Sequence, residues 1–466
     1  MQGGRRKKFS IPHTFTILFS LIVIAAIATW IIPAGQYDRV ENPNTHKMTV
    51  VPDSFKYVEP SPVGFFDTFV AVQKGMVDAA SIIFFIFIIY GSIYVVIKTG
   101  ALDAAIYFLI NRFRGKEQFV IPITMFAFGL GGAVFGMSEE TLGFIPLVVS
   151  LAIALGYDAV VGMSMVSLGS NTGFSAAFLN PFTIGVAQGI ADLPLYSGLG
   201  FRILNFIVFE AIAVWWTLRY ALKVKENPSA SLVNDIDYSN FKIDADKAEK
   251  EFTGRQKVIL LLVGVTIAVL IYGVLKLGWY IDELAGLFLI MGIACGIVGG
   301  FSSSKIAEYF VEGCKEIVSG AFAVGLGRGI LIVMNQARIT DTIVHALSQP
   351  LMSLPKWIAA EGMLFVQTLI SFLIPSGSGM AAVTMPIMAP LADVLNITRQ
   401  TAVLAYQYGD GFSNILWPTT LLPVVCGMAK VPMDRWLKYY VPLFLLMLAV
   451  EMVFIAIAVA MNYGPF

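Results

Sequence analysis

Long apolar stretches recur along the chain and are separated by short polar connections. Each stretch holds about 20 residues, the length with which an α-helix crosses the hydrocarbon core of a bilayer. The candidate spans begin near Thr14, Val77, Ala159, Phe201, Val258, Leu284, Ile317, Thr401 and Leu437. This pattern predicts an all-α polytopic membrane protein with nine full crossings.

Two further apolar regions, at about 119–155 and 357–395, are interrupted in the middle by polar residues and glycines. The residues at the two tips are Ser138, Glu139, Glu140 and Thr141 in the first region and Ser376, Gly377, Ser378 and Gly379 in the second. We expect each region to form a re-entrant helical hairpin that stops near the middle of the membrane. Two short complete spans joined by an exposed tip would fit the loop charges equally well.

Each hairpin is followed by a helix that polar residues, glycine and proline break, at about 158–190 and 398–428. The residues at the breaks are Ser170, Asn171, Thr172, Gly173 and Asn180 in the first helix and Asp410, Gly411, Ser413 and Asn414 in the second. Backbone groups freed inside a membrane need protein or a wet cavity as partners. We therefore expect the two tips and the two breaks to converge on one central site.

An internal repeat supports this arrangement. The motif Gly-Phe-Ser occurs at 173–175 and again at 411–413. The first half begins inside the cell and the second begins outside, so the halves are expected to be inverted-topology repeats, as in many secondary transporters. The predicted division is a first membrane repeat at 1–222, a cytoplasmic linker at 223–257, and an extra helix with the second repeat at 258–466.

The composition and the basic residues set the environment and the orientation. The chain is 57% apolar and 13% charged, with a mean hydropathy of +0.77, whereas about a quarter of a soluble domain is charged. Lys and Arg cluster in particular connections, including the motif at 5–8 and the segment 98–118. Placing them in the cytoplasm predicts a multi-pass protein of the cell (inner) membrane, with its N-terminus inside and its C-terminus outside. The 36–75 segment then lies outside, as an extended loop with one amphipathic interfacial piece.

A few charges lie within the apolar regions and suggest the chemistry of the site. A charged side chain at the bilayer centre costs several kcal/mol, so such residues tend to be functional. The candidates are Glu139, Glu140 and Asp410, with Arg328 as their charge partner. The acidic surplus suits a substrate with a cationic amine, while helix N-termini and hydroxyls can hold its carboxylate. The coupling ion would be Na⁺ or H⁺, and the sodium positions would lie near Ser170, Asn171, Gly377 and Gly409.

Several stretches are similar to a known family of carriers. They are "SIPHTFTILFSLIVIAAIATWIIPAGQYDR", the "EET" tip, "NPFTIGVAQGIADLPLYSGLGFR" and "YGDGFSNILWPT". The chain resembles the YfcC-type carriers, which belong with the DcuC-like C4-dicarboxylate carriers and the arginine/ornithine antiporters of the ion transporter superfamily. This resemblance implies two inverted repeats, each with a hairpin and a broken helix, and a homodimer formed through scaffold helices.

The resemblance also bears on the substrate. In dicarboxylate carriers of this superfamily, Ser-Asn-Thr motifs at tips and breaks hold carboxylates and sodium. Here that motif occurs once, at 170–172, and the first tip carries two glutamates that would repel a dicarboxylate.

We therefore expect a secondary active transporter of small carboxylate-bearing metabolites that works by alternating access. Amino acids, and in particular exchange of basic amino acids of the arginine/ornithine kind, are the favoured cargo. A C4-dicarboxylate symporter or exchanger on the same fold is the alternative. A third is an intramembrane aspartyl protease that uses Asp410, but it would need a second aspartate at membrane depth, and Asp158 lies at a predicted boundary.

We expect no enzymatic activity, no cofactor, no metal centre and no nucleic-acid partner. The expected partners are the small-molecule substrate and membrane lipid.

Overall fold

The computed structural model describes residues 14–41, 48–51, 54–102, 104, 116–241, 253–277, 279 and 281–464. The basic motif at 5–8 and two basic residues of the 98–118 segment, Arg112 and Arg114, lie outside these ranges. Within the described part of the chain, most residues are helical.

The elements follow one another as a series of helices joined by short connections. In chain order they are α1 (Thr14–Ala28), α2 (Phe65–Asp78), α3 (Ala80–Lys98), α4 (Val120–Phe135), α5 (Ile145–Ala154), α6 (Ala159–Met163), α7 (Gly169–Ser175), α8 (Val186–Ile190), α9 (Leu199–Glu226), α10 (Gly254–Tyr272), α11 (Ile281–Val298), α12 (Ser303–Gln336), α13 (Thr340–Ser348), α14 (Lys356–Leu373), α15 (Gly377–Val394), α16 (Arg399–Gly411), α17 (Leu422–Ala429) and α18 (Met433–Ala460). Short 3-10 turns lie at Glu117–Phe119, Glu139–Phe144, Pro228–Ala230, Ser239–Phe241, Gln349–Ser353 and Phe412–Ile415, and π-helical turns lie at Ser164–Leu168, Pro181–Gly185 and Gly273–Leu277.

Several of these helices can cross a membrane. Among the described residues, six are long and apolar enough: α3, α9, α11, α14, α18 and the stretch Glu117–Val134 that contains α4. The segments Ser303–Ser319 and Ala321–Gln336 of α12 meet at 42° and would together make a seventh. The chain is a multi-pass membrane protein. The nine crossings predicted from the sequence do not include α4 and α14, because these two helices were predicted to be arms of the hairpins.

Side-chain caps set where some of these helices begin. Thr253 and Gln256 form a capping box at the start of α10, each side chain pairing with the other's backbone. At the start of α12, the Ser302 hydroxyl accepts the backbone N–H of Lys305 at 3.3 Å. This cap explains why α12 starts at Ser303, whereas the apolar pattern placed the start of the span near Ile317.

The 36–75 segment has more regular structure than the extended loop predicted from the sequence. Four short strands form two antiparallel pairs, β1 (Gly35–Gln36) with β4 (Lys56–Tyr57) and β2 (Arg39–Glu41) with β3 (Met48–Val50). The amphipathic piece is helix α2, which packs along α12. The strands also contact α15 and α13, so this segment covers the ends of helices from the second half of the chain.

Three apolar cores organise the helices. The largest joins the elements from α4 to α9 with those from α14 to α18. A second core lies between α3, α10 and α11, and a third between α1, α2 and α12. The chain therefore has one body built from the two interrupted regions and the helices that follow them, flanked by α1–α3 and α10–α12.

The order of elements in the large body recurs along the chain. The series α4, α5, a broken helix and α9 is followed later by α14, α15, a broken helix and α18. The long helices that close the two series, α9 and α18, have 28 residues each. The regions predicted as hairpins, 119–155 and 357–395, coincide with α4–α5 and α14–α15 to within a few residues.

Residues 227–241, within the predicted linker, contact the ends of several helices. The Ser231 hydroxyl donates to the Asp158 carboxylate at 2.6 Å. Further along, the Tyr238 hydroxyl donates to the backbone carbonyl of Lys430 at 2.9 Å. This stretch therefore touches α6 of the first series and the end of α17 of the second.

Candidate functional site

The first interrupted region turns at Gly136. This residue has a φ of +71°, a left-handed conformation that glycine adopts without steric cost. It ends α4, and the backbone N–H of Met137 donates to the carbonyl of Gly131 at 3.2 Å. The 3-10 turn Glu139–Phe144 follows, and α5 then begins. The polar residues 138–141 are thereby placed at the end of α4.

Hydrogen bonds hold this first tip together from within. The backbone N–H of Ser138 donates to the Glu140 carboxylate at 2.9 Å, and the Thr141 hydroxyl donates to the Ser138 carbonyl at 2.6 Å. Glu140 and Thr141 are buried, whereas Glu139 is half-buried. Glu140 is therefore part of the structure of the tip, and Glu139 is the more accessible carboxylate.

Helix α7 packs closely behind the tip. Its Gly173 lies so near α4 that a Cβ there would be 1.7 Å from the carbonyl oxygen of Gly129. The Ser170 hydroxyl donates to the carbonyl of Met137, two residues beyond the end of α4. Residues 170–173 were predicted to break this helix, but α7 is helical from Gly169 to Ser175 and the interruption comes only after Ser175. Helix α7 thus satisfies and positions the backbone of the first tip.

Asn180 supports the same tip from the other side of the break. Its side-chain oxygen accepts the backbone N–H groups of Phe182 at 2.9 Å and Thr183 at 3.3 Å, and so caps the next helical turn. The side chain is fully buried and lies against Gly136.

The second tip is the N-terminus of α15. The Ser376 hydroxyl accepts the backbone N–H of Gly379 at 3.4 Å. The Gly377 carbonyl accepts the Tyr406 hydroxyl at 2.7 Å. Because α15 has 18 residues, its positive dipole end and its first free N–H groups lie at this tip.

The second break meets the first. Helix α16 ends at Gly411, where a Cβ would lie 2.3 Å from the Cα atom of Ser175. The Ser413 hydroxyl donates to the Gly409 carbonyl at 2.7 Å, and the Thr420 hydroxyl donates to the Asn414 carbonyl at 2.6 Å. The two Gly-Phe-Ser motifs recognised in the sequence are thus in direct contact.

A cavity of about 450 Å³ lies between the two tips. Its walls are formed by Ile82, Gly136, Ser138, Glu139, Glu140, Phe174, Phe182, Thr183, Val324, Arg328, Pro375, Ser376, Gly377, Ser378, Asn414, Thr419, Thr420 and Leu421. Two carboxylates and one guanidinium, those of Glu139, Glu140 and Arg328, therefore face the same space. Hydroxyl groups and the N-terminus of α15 supply further polar contacts.

Arg328 reaches the cavity from α12, outside the body that carries the two tips. Its Nε atom lies 3.6 Å from the Oδ2 atom of Asp78, the last residue of α2. Sequence analysis named Arg328 as the partner of the intramembrane acids, and it did not single out Asp78. The pairing depends on the packing of α2 against α12, which a sequence pattern does not reveal.

The predicted site residues divide into two groups. Those on the cavity wall are Ser138, Glu139, Glu140, Ser376, Gly377, Ser378, Asn414 and Arg328. Those that do not line the cavity are Thr141, Ser170, Asn171, Thr172, Gly173, Asn180, Gly379, Asp410, Gly411 and Ser413. The Asn171 amide donates to the Ser167 carbonyl and the Thr172 hydroxyl to the Leu168 carbonyl, each at 2.7 Å, so both side chains bind their own helix.

Asp410 occupies an unusual position behind the second tip. It is fully buried, and among the described residues neither of its carboxylate oxygens has a hydrogen-bond partner. A Cβ on Gly377 would lie 2.8 Å from its Oδ2 atom. Asp410 is thus separated from the cavity by the thin wall that Gly377 forms.

The positions expected near sodium have protein partners in this structure. The carbonyls of Gly377 and Gly409 accept hydroxyl groups, and the Ser170 hydroxyl donates to a carbonyl. The Asn171 side chain binds its own helix. The sodium site stays a prediction.

Sequence reasoning missed part of the cavity wall. Thr183, Thr419 and Thr420 follow Pro181 and Pro418 closely along the chain. Hydroxyl residues directly after a helix-breaking proline were a usable signal, because freed backbone groups and side-chain donors collect there. The apolar contribution of Ile82 and Val324 had no such signal.

Comparison with known proteins identifies the family. The family model for the C4-dicarboxylate anaerobic carriers, DcuC, matches residues 11–460. A protein of Escherichia coli (strain K12), provisionally named basic amino acid antiporter YfcC, is 33% identical over 98% of each chain. An uncharacterized protein of Haemophilus influenzae (strain ATCC 51907 / DSM 11121 / KW20 / Rd) is 30% identical over 99% of each chain. The chain belongs to the DcuC family.

Two solved transporter structures also match over almost the whole chain. The YdaH transporter of Alcanivorax borkumensis covers 97% of this chain and all of its own, with 15% identity and a TM-score of 0.45. MtrF of Neisseria gonorrhoeae, described as one of a class of antimetabolite efflux pumps, covers 97% of this chain and 96% of its own, with 16% identity and a TM-score of 0.45.

Family membership decides between transport and catalysis. The family is one of carriers, so the chain is a transporter and not an enzyme. The protease alternative also has no support in the geometry. Asp158 accepts the Tyr220 hydroxyl, the Ser231 hydroxyl and the backbone N–H of Val161, while Asp410 is enclosed within the protein.

Proposed function

We propose that the chain is a secondary active transporter of amino acids, with exchange of basic amino acids of the arginine/ornithine kind as its activity. The observation that carries this proposal is that Glu139, Glu140 and Arg328 line one cavity of about 450 Å³. This volume lies within the usual range for small-molecule sites. Two acidic groups against one basic group favour an occupant of net positive charge.

The chemistry of an amino acid fits the distribution of these charges. Arg328 and the free N–H groups at the start of α15 suit the α-carboxylate, through charge-assisted hydrogen bonds. Glu139 suits an ammonium or guanidinium group, since it is the more accessible of the two carboxylates. Glu140 adds negative charge while it holds the Ser138 backbone in place.

We further propose that α4–α5 and α14–α15 are re-entrant hairpins within two inverted repeats. Helix α5 has ten residues and is therefore about 15 Å long, half of what a full crossing needs. Both tips line the same cavity, as expected if they enter the membrane from opposite sides. Alternating access would then expose the cavity first to one side and then to the other. Cysteines placed singly at Ser138 and Ser378 test this. Hairpin tips that line one cavity should be labelled from the same side, whereas two complete spans in each region would expose the two tips on opposite sides of the membrane.

Exchange of one cationic amino acid for another needs no coupling ion. Net uptake would need sodium or a proton as the coupling ion. Arginine transport measured at fixed membrane potential separates exchange, sodium coupling and proton coupling. Sodium coupling makes transport fall when choline replaces sodium, proton coupling makes it respond to an imposed pH gradient, and exchange is unaffected by either change.

A C4-dicarboxylate is the second candidate cargo. The family model is named for C4-dicarboxylate carriers, which favours this cargo. The guanidinium of Arg328 and the hydroxyl groups of Ser376, Ser378 and Thr420 could bind its two carboxylates. The two glutamates oppose it, because they would face a dianion in a site of low dielectric constant. Competition by succinate against arginine therefore decides between the candidates.

The test is exchange of radiolabelled arginine in proteoliposomes loaded with arginine or ornithine. We expect uptake that excess arginine and ornithine abolish and succinate does not, and Glu139→Gln should abolish it. The matched control is Glu210→Gln, which neutralises a buried carboxylate that does not line the cavity. Exchange of succinate without exchange of arginine, or wild-type exchange in Glu139→Gln, would overturn the amino-acid proposal.

A further inference from the structure

The contact between α2 and α12 brings one more carboxylate to the edge of the cavity. The two helices meet backbone to backbone at three glycines. A Cβ on Gly75 would lie 2.4 Å from the carbonyl oxygen of Gly325 and 2.6 Å from the backbone nitrogen of Gly329. Side chains larger than hydrogen would hold the helices apart at this point. The contact therefore fixes how far Asp78, just beyond Gly75, lies from Arg328.

Asp78 and Arg328 form an ion pair at the cavity rim. The distance from Arg328 Nε to Asp78 Oδ2 is 3.6 Å, and the side chains are 46% exposed for Asp78 and 22% exposed for Arg328. Asp78 ends α2, where the helix dipole disfavours a negative charge. The guanidinium of Arg328 offsets that unfavourable position. Ile82, one turn beyond Asp78 along the chain, lies in the cavity wall.

This pair changes the charge that a substrate meets. Arg328 is the basic residue among those that line the cavity, so it is the natural partner for a carboxylate of the substrate. Asp78 competes for the same guanidinium without occupying the cavity. An amino acid loses less by this competition, because its single carboxylate can also use the free N–H groups at the start of α15 and its amine is held by Glu139. A dicarboxylate, which needs every positive charge in the site, loses much more.

We infer that Asp78 is a specificity-determining residue that acts through Arg328 and disfavours dicarboxylates relative to amino acids. The inference rests on the proposed function for its physiological meaning, but its effect is defined as a change in selectivity and can be measured whichever cargo the wild type prefers. The partial exposure of Asp78 argues against a role in core packing, because an exposed aspartate can be replaced by asparagine with little change in stability.

The experiment compares Asp78→Asn with the wild type by thermal-shift binding of arginine and of succinate to the purified full chain, and by competition of both against uptake in proteoliposomes. We expect the affinity for succinate to rise about tenfold relative to that for arginine, the effect of one hydrogen bond to a charged group. Asp78→Glu should restore the wild-type ratio. Asp67→Asn, in the first turn of the same helix, is the matched control and should leave the ratio unchanged.

The double variant Asp78→Asn/Arg328→Gln tests the route of the effect. We expect the gain in succinate affinity to disappear in it, since no guanidinium is left to be released. An unchanged ratio in Asp78→Asn, or a gain that persists without Arg328, would overturn the inference. A wild type that binds succinate and not arginine would overturn the proposed amino-acid transport, while a further gain in Asp78→Asn would still support the role of Asp78.

Discussion

Gly136 and Asn180 are in contact where the first tip meets the first break. A Cβ on Gly136 would lie 2.5 Å from the Oδ1 atom of Asn180, the same atom that caps the turn beginning at Pro181. One buried amide thus supports the left-handed residue that ends α4 and the helical turn that resumes after the break. The geometry of the cavity wall depends on this contact.

Asn180→Ala is accordingly expected to lower stability by about 1–2 kcal/mol, because the loss of an N-cap leaves two backbone N–H groups without their acceptor. Thermal melting in detergent measures the change. Asn227 also caps a turn, but an exposed one, so Asn227→Ala should cost clearly less. Equal costs for the two variants would contradict the role assigned to Asn180.

Replacement of Glu140 separates its structural role from its charge. Glu140→Ala removes the acceptor of the Ser138 N–H, and we expect a loss of about 1–3 kcal/mol in the free energy of unfolding. Glu140→Gln keeps an acceptor oxygen and should cost less. If both variants melt like the wild type, the hydrogen bond does not stabilise the tip.

Asp410→Asn is expected to stabilise the fold. The carboxylate is fully buried and lacks a hydrogen-bond partner within the described residues, so loss of its charge should gain about 1–3 kcal/mol. The contrasting variant is Asp341→Asn. That carboxylate is also buried, but it accepts Arg39 at 2.8 Å and the backbone N–H of Tyr37 at 3.0 Å, so its loss should destabilise. Changes of the same sign in both melting temperatures would count against this reading of Asp410.

Gly173→Ala tests the packing of α7 on α4. The added methyl group would lie 1.7 Å from the Gly129 carbonyl oxygen, so the helices must separate, and we expect a cost of about 3 kcal/mol or more. Gly286→Ala in α11 is the control, since nothing lies within 4 Å of its Cβ position. The control should raise helix stability by up to about 1 kcal/mol. Similar melting temperatures for the two variants would exclude the tight contact.

His345, which lies close to the four strands, is expected to make the stability of the fold depend on pH. Its ring stacks on Phe55 with centroids 4.0 Å apart, and its Nδ1 atom lies 2.9 Å from the Tyr37 hydroxyl. Burial lowers the pKa of His345 below its usual value. The unfolded chain therefore binds this proton more tightly, and the fold loses stability as pH falls through the usual histidine range.

We expect the melting temperature of the wild type to fall further than that of His345→Phe between about pH 7.5 and about pH 5.5, since phenylalanine keeps a ring but does not titrate. Equal decreases in the two proteins would mean that another group causes the pH dependence.

The sequence was sufficient to predict some of the polar residues of the cavity wall and the class of the protein. Glycine, proline and acidic residues inside apolar stretches depart from what lipid tolerates, so Glu139, Ser376 and Asn414 could be recognised from pattern alone. The family was likewise recognisable from quoted motifs, and the family model confirms it. Mostly helical architecture follows from composition.

What the sequence could not give was the depth and the pairing of side chains. Asp410 and Ser170 are as polar as the residues that line the cavity, but they do not line it. Each packs against a glycine of another helix, Gly377 for Asp410 and Gly132 for Ser170, and the backbone at that glycine lies close to it. Asp78 lies at the end of a helix predicted as an interfacial piece, and only its packing against α12 brings it to Arg328. Such contacts join residues far apart in sequence, which no periodicity records.

The contacts made by residues 227–241 have a consequence for how the chain can be produced. Ser231 binds Asp158 and Tyr238 binds the end of α17, so this stretch adheres to the large body by its own hydrogen bonds. The covalent connection that follows it is then not needed to keep the halves together. Two polypeptides, one ending after Phe241 and one beginning at Thr253, should reassemble when they are co-expressed, which would allow each half to be labelled or tagged separately.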